Sequence, residues 1–146
     1  MPVETAAVGK TWTGEPFAVD ADRIRSYASA VGEGNPVHHD ADAAREQGFR
    51  DLVAPPMFAV VYKFPAMAIA AIDPELKMNL MALVHGGQEF EWREPVCAGD
   101  RITTHVECKE IYERDGKGFY VFETNSRNDS GELTARGLWT NIVRGV

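Results

Sequence analysis

The spacing of apolar residues near the start of the chain predicts an amphipathic helix. Asp20 is a suitable N-cap, Asp22 adds negative charge to the first turn, and Gly32 ends the pattern. A short strand is predicted just before this helix, at Phe17–Val19. The apolar positions of the helix recur at i, i+3, i+4 and i+7, which is one helix face: Ile24, Tyr27, Ala28 and Val31.

A second, shorter helix is predicted from Asp40 to Gln47, with Gly48 as its C-terminal glycine. The most apolar stretch of the chain then runs from Met57 to Ile72 and follows Pro55-Pro56. Proline suits the first turn of a helix, and a helix that is apolar on every side is usually buried. The pattern therefore predicts a buried central helix.

Three residues interrupt this apolar stretch. Pro65 lies in its middle, where a proline removes a backbone hydrogen bond and is expected to kink or break the helix. Tyr62 and Lys63 are the main polar exceptions, and we expect them to face either a ligand tunnel or solvent.

Strand patterns dominate the second half of the chain. Apolar residues alternate with polar ones in Arg101–Lys109, and Asp115–Gly118 is typical of a hairpin turn. Further strands are predicted at Leu83–Arg93, Phe119–Thr124 and Leu133–Val143. An antiparallel sheet curled around the central helix is an α+β architecture, and we expect one domain over residues 1–146.

Composition excludes several classes of protein. The 146 residues carry 15 Lys and Arg against 22 Asp and Glu, a net charge of −7, whereas a nucleic-acid-binding face needs clustered basic residues. No apolar run approaches the length of a membrane span, the first residues lack the pattern of a signal peptide, and two cysteines are too few for a disulfide framework. We expect a cytoplasmic protein that binds neither nucleic acid nor membrane.

The densest cluster of polar side chains is Glu33–Asp40, between the two N-terminal helices. A turn at Asn35-Pro36 can bring Glu33 and His38 together, and a carboxylate–imidazole pair can move protons near neutral pH. The alternative is a plain connector with solvated acids, which the residues alone favour. His38-His39-Asp40 is not a metal site by spacing, and we expect no metal and no redox or nucleotide cofactor.

Four segments in order resemble the MaoC-like hot-dog dehydratases, in the branch of the type I fatty-acid-synthase dehydratases that includes (3R)-hydroxyacyl-ACP dehydratase subunits. The resemblance extends from about Val8 to Val143. It implies a hot-dog fold, an antiparallel sheet wrapped around a long central helix. The four segments are Asn35–His38, Ala43–Phe58, His85–Phe90 and Glu94–Asp100.

Members of that family interconvert (3R)-3-hydroxyacyl and trans-2-enoyl thioesters of CoA or ACP, without a cofactor, by adding or removing water. Their catalytic pair is written Asp-x-Asn-Pro-x-His, so the resemblance assigns Glu33 and His38 to catalysis. Asn35 is expected among the substrate-binding residues, where it fixes the loop rather than taking part in bond making. Glu33 replaces the usual Asp, and its extra methylene shifts the carboxylate by about a bond length, a displacement that can cost ~10²-fold in rate.

A second departure affects the oxyanion hole, where active hydratases carry His-Gly at the start of the central helix. Pro55-Pro56 has no N–H to donate, so the nearest donors expected to bind the thioester carbonyl are the amides of Met57 and Phe58. His85 and Gly86 match the family's other His-Gly element, where they would line the thioester entrance or simply bond to backbone.

The resemblance leaves three functions open. The leading one is a hydratase or dehydratase that works as a homodimer or as a heterodimer with another hot-dog subunit, with a slight preference for CoA over an acidic carrier protein. The second is a non-catalytic acyl-binding or stabilising subunit of a heterodimeric dehydratase, which Glu33 and Pro55-Pro56 favour. A thioesterase on the same scaffold is the third, supported by the fold alone.

Overall fold

The computed structural model describes residues 2–146 as three α-helices and six strands. Short 3-10 turns at Pro36–His38, Pro56–Phe58 and Leu80–Ala82 precede α2, α3 and β3. The helices are α1 (Ala21–Ala30), α2 (Ala41–Glu46) and α3 (Ala59–Ala71), and the strands are β1 (Thr11–Thr13), β2 (Phe17–Ala18), β3 (Leu83–Trp92), β4 (Arg101–Arg114), β5 (Lys117–Arg127) and β6 (Leu133–Arg144).

The six strands form an antiparallel sheet with the order β1-β4-β5-β6-β3, and β2 pairs with β4 beside β1. Strands β4, β5 and β6 follow one another directly. The turn between β4 and β5 has positive φ at both Asp115 (51°) and Gly116 (70°), the pattern of the two-residue turn that matches strand twist. The predicted strands are confirmed, and β4 and β5 are longer than predicted.

Helix α3 packs across this sheet and makes the main core. Ala66, Met67 and Ala70 pack in one cluster with residues of β1, β4, β5 and β6, among them Trp12 and Phe122. Gly14 lets the chain pass close to the helix, since a Cβ there would lie 2.8 Å from the Ala66 Cβ. The predicted α+β architecture with a helix against an antiparallel sheet is confirmed.

The structure corrects two predictions for α3. The predicted break at Pro65 is absent, since the helix continues through this proline, which is on its exposed side. The helix is also not buried on every side, because the sheet covers only one face. Its outer face exposes Phe64, Ile69 and Ile72, with Ile72 67% exposed. No helix within residues 2–146 is long and apolar enough to cross a membrane.

Local signals account for the two N-terminal helices. The Asp20 carboxylate accepts a hydrogen bond from the Arg23 N–H at the start of α1, and Asp40 accepts one from the Asp42 N–H at the start of α2. Both N-caps are where the sequence predicts them. The segment between them, residues 31–40, is the α1–α2 loop, and it lies at the edge of a large cavity.

Candidate active site

A cavity of about 860 Å³ opens between the α1–α2 loop, α2, the start of α3 and the ends of β3 and β6. Its volume lies within the usual range for small-molecule sites. The wall carries polar and charged side chains as well as apolar ones. Its members are Asn35, Pro36, Val37, His38, Ala43, Glu46, Gln47, Phe49, Val53, Ala54, Pro55, Pro56, Tyr62, Trp92, Arg93, Glu94, Pro95, Val96 and Thr134.

Short-range hydrogen bonds shape the α1–α2 loop. The Glu33 N–H donates to the Ala28 carbonyl (2.8 Å), and Gly32 has a φ of 73°, so α1 ends in a left-handed residue. Asn35 then accepts a hydrogen bond from the Val37 N–H through its side chain (3.2 Å) and begins the 3-10 turn that ends at His38. The turn carries the His38 side chain to the cavity wall.

His38 is held in one tautomer. Its Nδ1 lies 2.7 Å from the Val53 carbonyl oxygen, which can only accept, so Nδ1 carries the proton and Nε2 has the free lone pair. His38 is only 7% exposed. Its Nε2 has no hydrogen-bond partner in residues 2–146, but the atom is not completely enclosed by the protein. Nε2 is therefore accessible as a base.

Glu33 does not reach the cavity. Its side chain is exposed, and its Oε1 accepts a hydrogen bond from the Asn35 N–H (3.1 Å). Its carbonyl oxygen accepts from Nε2 of His39 (2.7 Å), so His39 fixes the loop rather than remaining free in solvent. The structure thus brings His38 and Asn35 to the cavity wall and leaves the Glu33 carboxylate outside it.

The two prolines line the cavity, and the amides that follow them do not. The Phe58 N–H donates to the Pro55 carbonyl (2.9 Å) and so is already committed, whereas the Met57 N–H has no partner within residues 2–146. Phe58 itself is buried in the core. Trp92, which sequence reasoning did not select, donates its Nε1–H to the Pro56 carbonyl (2.9 Å) and forms part of the rim.

His85 and Gly86 lie on β3, away from the cavity wall. The His85 ring stacks on Trp139 with 5.2 Å between centroids, and its Nε2 is 3.1 Å from the Gly87 carbonyl oxygen. A Cβ at Gly86 would lie 2.3 Å from the Ile142 Cδ1, so the glycine allows close strand packing. In this chain the two residues organise an irregular stretch of β3, where the pairing with β6 shifts register.

A buried polar group that the sequence pattern only hinted at lies behind the cavity. The Lys63 Nζ donates to Ser126 Oγ and the Ala135 carbonyl, both at 2.8 Å, and to the Thr124 carbonyl at 3.4 Å. Ser126 Oγ also bonds Thr104 Oγ1 (2.7 Å). We call these five residues and Thr134 the interior polar cluster. Its one signal in the sequence was a lysine within an apolar helix.

Tyr62 and Thr134 connect this cluster to the cavity. The Tyr62 hydroxyl lies 3.2 Å from Thr134 Oγ1, and Thr134 donates to the Ser126 carbonyl (3.2 Å). Burial raises the pKa of the Tyr62 hydroxyl to about 12 and lowers the pKa of the Lys63 amine to about 7. Lys63 has no carboxylate partner in the described part of the chain.

No group of three or more His, Cys, Asp or Glu side chains in residues 2–146 is arranged to hold a metal ion. The rim of the cavity carries charges of both signs, with Glu46 and Glu94 against Arg93. The site therefore combines one buried imidazole, a rim with charges of both signs, and two buried hydroxyl groups, those of Tyr62 and Thr134, on an otherwise largely apolar wall.

An antiparallel sheet packed around one long helix is the hot-dog fold, and here His38 lies on the wall of a cavity beside that helix. Residues 6–136 match the family described as FAS1-like, dehydratase domain region, and the chain belongs to that family. A UPF0336 protein of Saccharopolyspora erythraea is 33% identical over 147 aligned positions, which cover 100% of this chain and 94% of the relative.

Solved structures agree with the fold. The HadBC (3R)-hydroxyacyl-ACP dehydratase complex of Mycobacterium tuberculosis matches with a TM-score of 0.80 and 26% identity, over 95% of this chain and 98% of that one. The (R)-hydratase PhaJ1 of Pseudomonas aeruginosa matches with a TM-score of 0.74 and 22% identity, over 95% and 83% of the two chains. The chain therefore has the MaoC-like hot-dog fold that its motifs resemble.

Proposed function

We propose that the protein is a hydro-lyase that interconverts (3R)-3-hydroxyacyl and trans-2-enoyl thioesters. The observation that carries this proposal is His38, whose Nδ1–H is fixed by the Val53 carbonyl while Nε2 remains accessible. A neutral imidazole in this tautomer is a suitable base for a proton next to a thioester carbonyl. Membership of a dehydratase family supports the same reaction.

The proton balance of dehydration can be met by His38 alone. Its Nε2 takes the proton from C2 of the 3-hydroxyacyl group, and the electrons of that C–H bond form the C2–C3 double bond as the C3–O bond breaks. The imidazolium then gives the same proton to the departing hydroxyl, which leaves as water. Hydration is the reverse sequence, with His38 removing a proton from water as its oxygen attacks C3.

Asn35 is the best placed residue to bind the thioester carbonyl. Its Oδ1 is occupied by the Val37 N–H, so its Nδ2 group, which has no partner within residues 2–146, is free to donate. This role would replace the one predicted for the amides of Met57 and Phe58. The Glu33 carboxylate, bonded to the Asn35 N–H, would then position Asn35 rather than transfer a proton.

A CoA thioester fits the rim better than an acidic carrier protein. The chain has a net charge of −7, and Glu46 and Glu94 are at the cavity mouth. Like charges on two proteins oppose docking, whereas Arg93, which is paired with Glu91 in the structure, could exchange that partner for one phosphate group.

A second hot-dog chain is the proposed partner. Strand β3 is at one end of the strand order, and its backbone groups on the outer side are free to pair with another strand. Apolar residues in the 3-10 turn just before it are exposed, including Met81 at 93%. The matching HadBC structure is described as a complex, which supports a homodimer or a heterodimer along β3 as the proposed assembly of this chain.

Hydration of crotonyl-CoA, followed as loss of the enoyl-thioester absorbance, tests the reaction. We expect activity in the purified protein and a loss of at least ~10²-fold in His38→Gln, since a positioned base contributes 10² or more. His39→Gln is the matched control, because it removes the neighbouring imidazole, whose Nε2 is occupied by the Glu33 carbonyl. Equal activity in both variants would remove His38 from the mechanism.

A non-catalytic subunit is the second candidate, favoured by the position of Glu33 outside the cavity and by the proline pair, which has no N–H to donate. In that case the purified chain would bind acyl-CoA without hydrating crotonyl-CoA. Activity would then appear only after addition of a second hot-dog chain with an intact Asp-x-Asn-Pro-x-His motif. It would also survive His38→Gln in this chain.

A further inference from the structure

The cavity has an exposed rim and a deeply buried inner end. Trp92 and Glu94 on the rim are exposed, whereas Tyr62 is 4% and Thr134 1% exposed. Three apolar residues of the wall follow at 7% each: Val53, Ala54 and Val96. Tyr62 and Thr134 are thus among the least exposed residues of the wall, so an acyl chain that reaches the most buried part of the cavity would contact them. Both residues present hydroxyl groups. A site for the end of an unsubstituted alkyl chain would instead be expected to present apolar side chains.

The hydrogen bonds of these hydroxyl groups run in one direction. Thr134 has a single hydroxyl proton and donates it to the Ser126 carbonyl, so the proton shared with Tyr62 must come from the Tyr62 O–H. Thr134 is the extra residue where the β5–β6 pairing shifts register, and such a bulge re-aims a side chain. Both oxygens keep an unused acceptor position, and neither has a free proton.

Lys63 limits which donor can bind there. Its amine lies behind the inner end, bonded to Ser126 Oγ and to two carbonyl oxygens, with no carboxylate partner in the described residues. A cationic ligand group at this buried end would lose its water with no carboxylate to pair with, and Lys63 would repel it whenever the amine is protonated. A ligand group that donates a hydrogen bond to the Tyr62 and Thr134 oxygens beside Lys63 is therefore expected to be neutral, and a hydroxyl group fits.

We propose that Tyr62 and Thr134 select acyl thioesters that carry a hydroxyl group towards the far end of the acyl chain, in preference to plain alkyl chains of the same length. The inference rests on the proposed function, because it assumes that the cavity holds an acyl group with its thioester near His38. It names the substrate class: ω-hydroxylated or similarly substituted acyl-CoA.

Binding and turnover are measured separately to test this. Calorimetry compares hexanoyl-CoA with 6-hydroxyhexanoyl-CoA, and the matched pairs with five and eight carbons, with adipoyl-CoA as an anionic probe. Turnover compares trans-2-hexenoyl-CoA with its 6-hydroxy form. We expect about fivefold tighter binding of the hydroxylated member in at least one pair, the size of one net hydrogen bond.

Tyr62→Phe should abolish this preference, and Thr134→Val should weaken it, which gives a second variant if the first folds poorly. Tyr27→Phe is the matched control: it removes a hydroxyl from the same aromatic group, 5.5 Å from Phe58 between ring centroids, outside the cavity wall. The control should keep the preference of the unmodified protein.

Several outcomes would overturn the proposal: equal binding within every pair, a preference that survives both Tyr62→Phe and Thr134→Val, tighter binding of adipoyl-CoA than of the hydroxylated probes, or no binding of any probe. A hydroxyl preference in binding with no turnover of either enoyl thioester would support the selectivity and refute the hydratase. The two proposals therefore fail separately.

Discussion

The α1–α2 loop and the interior polar cluster both supply polar groups to the cavity, yet they are held in different ways. In the loop, Asn35 and Glu33 bond to backbone N–H groups two residues away. In the cluster, Lys63 bonds to partners 61 to 72 positions away, and the adjoining Tyr62 bonds to Thr134, 72 positions away. His38 thus lies on a segment held by short-range hydrogen bonds, while the Tyr62 and Thr134 side of the cavity depends on the sheet being in register.

Lys63→Ala gives the largest expected difference between the two regions. At pH 8 the substitution leaves a space in the core and removes the donor of three buried acceptors, and we expect a loss of about 2–5 kcal/mol in the free energy of unfolding. Urea denaturation measures the loss. Lys117→Ala, at an exposed strand position, should change stability by at most about 0.5 kcal/mol. Similar losses in both variants would contradict a structural role for the cluster.

The pH dependence of stability isolates the charge of Lys63. Burial lowers the pKa of its amine to about 7 in the folded chain, against an ordinary value of 10.5 when unfolded. Between these values the unfolded chain binds more protons, so stability rises with pH, by at most about 1.4 kcal/mol per pH unit from this group. Below pH 7 the Lys63 amine is protonated in both the folded and the unfolded chain, so it no longer makes the free energy of unfolding depend on pH.

Lys63→Met should remove this part of the slope. Unfolding free energies of the two proteins, measured by urea denaturation at several pH values from 6 to 10, should diverge above pH 7 and run parallel below it. Curves that stay parallel over the whole range would show that the amine is charged in the fold throughout.

Asn35→Ala tests the local construction of the loop. It removes the side-chain acceptor of the Val37 N–H at the start of the turn, and a lost cap of this kind costs about 1 kcal/mol. Asn35→Asp keeps an acceptor oxygen and should recover most of the stability in the same denaturation experiment. If alanine and aspartate were equally destabilising, the cap would not be the cause.

Glu33→Gln should have the smallest effect. Glutamine keeps an oxygen for the Asn35 N–H, so we expect a change in stability below about 0.5 kcal/mol and crotonyl-CoA hydration within about threefold of the unmodified protein. Glu33→Ala lacks that oxygen and should be the more damaging variant. A loss of ~10²-fold or more in Glu33→Gln would mean that the carboxylate enters the cavity and transfers a proton.

Local signals made much of the fold predictable. Asp20 and Asp40 are N-caps whose partners lie two or three residues away, so the starts of α1 and α2 could be predicted from neighbouring residues. Strand β1 could not, because three residues show no period and its pairing with β4, Thr11 opposite Glu107, is remote in sequence. The exposed face of α3 was missed because composition does not reveal which side a sheet covers.

In the candidate site, too, features set by neighbouring residues could be predicted and features set by contacts remote in sequence could not. His38, which the family motif predicts to be catalytic, lies on the cavity wall, but the position of Glu33 depends on competition between the cavity and a backbone N–H two residues away. A side chain one methylene longer than aspartate can fold back to that N–H. The hydroxyl groups of Tyr62 and Thr134 meet only after α3 docks on β6, so no window of sequence could place them together.

The strand order also bears on how the chain folds. Strands β4, β5 and β6 are joined by short turns, and contacts between neighbours in sequence form early because they close small loops. The outer strands β1 and β3 join through pairings about 95 and about 50 positions apart, and these carry the larger entropic cost. We therefore expect the central meander to form the folding nucleus, and the cavity, which needs the end of β3, to be completed last.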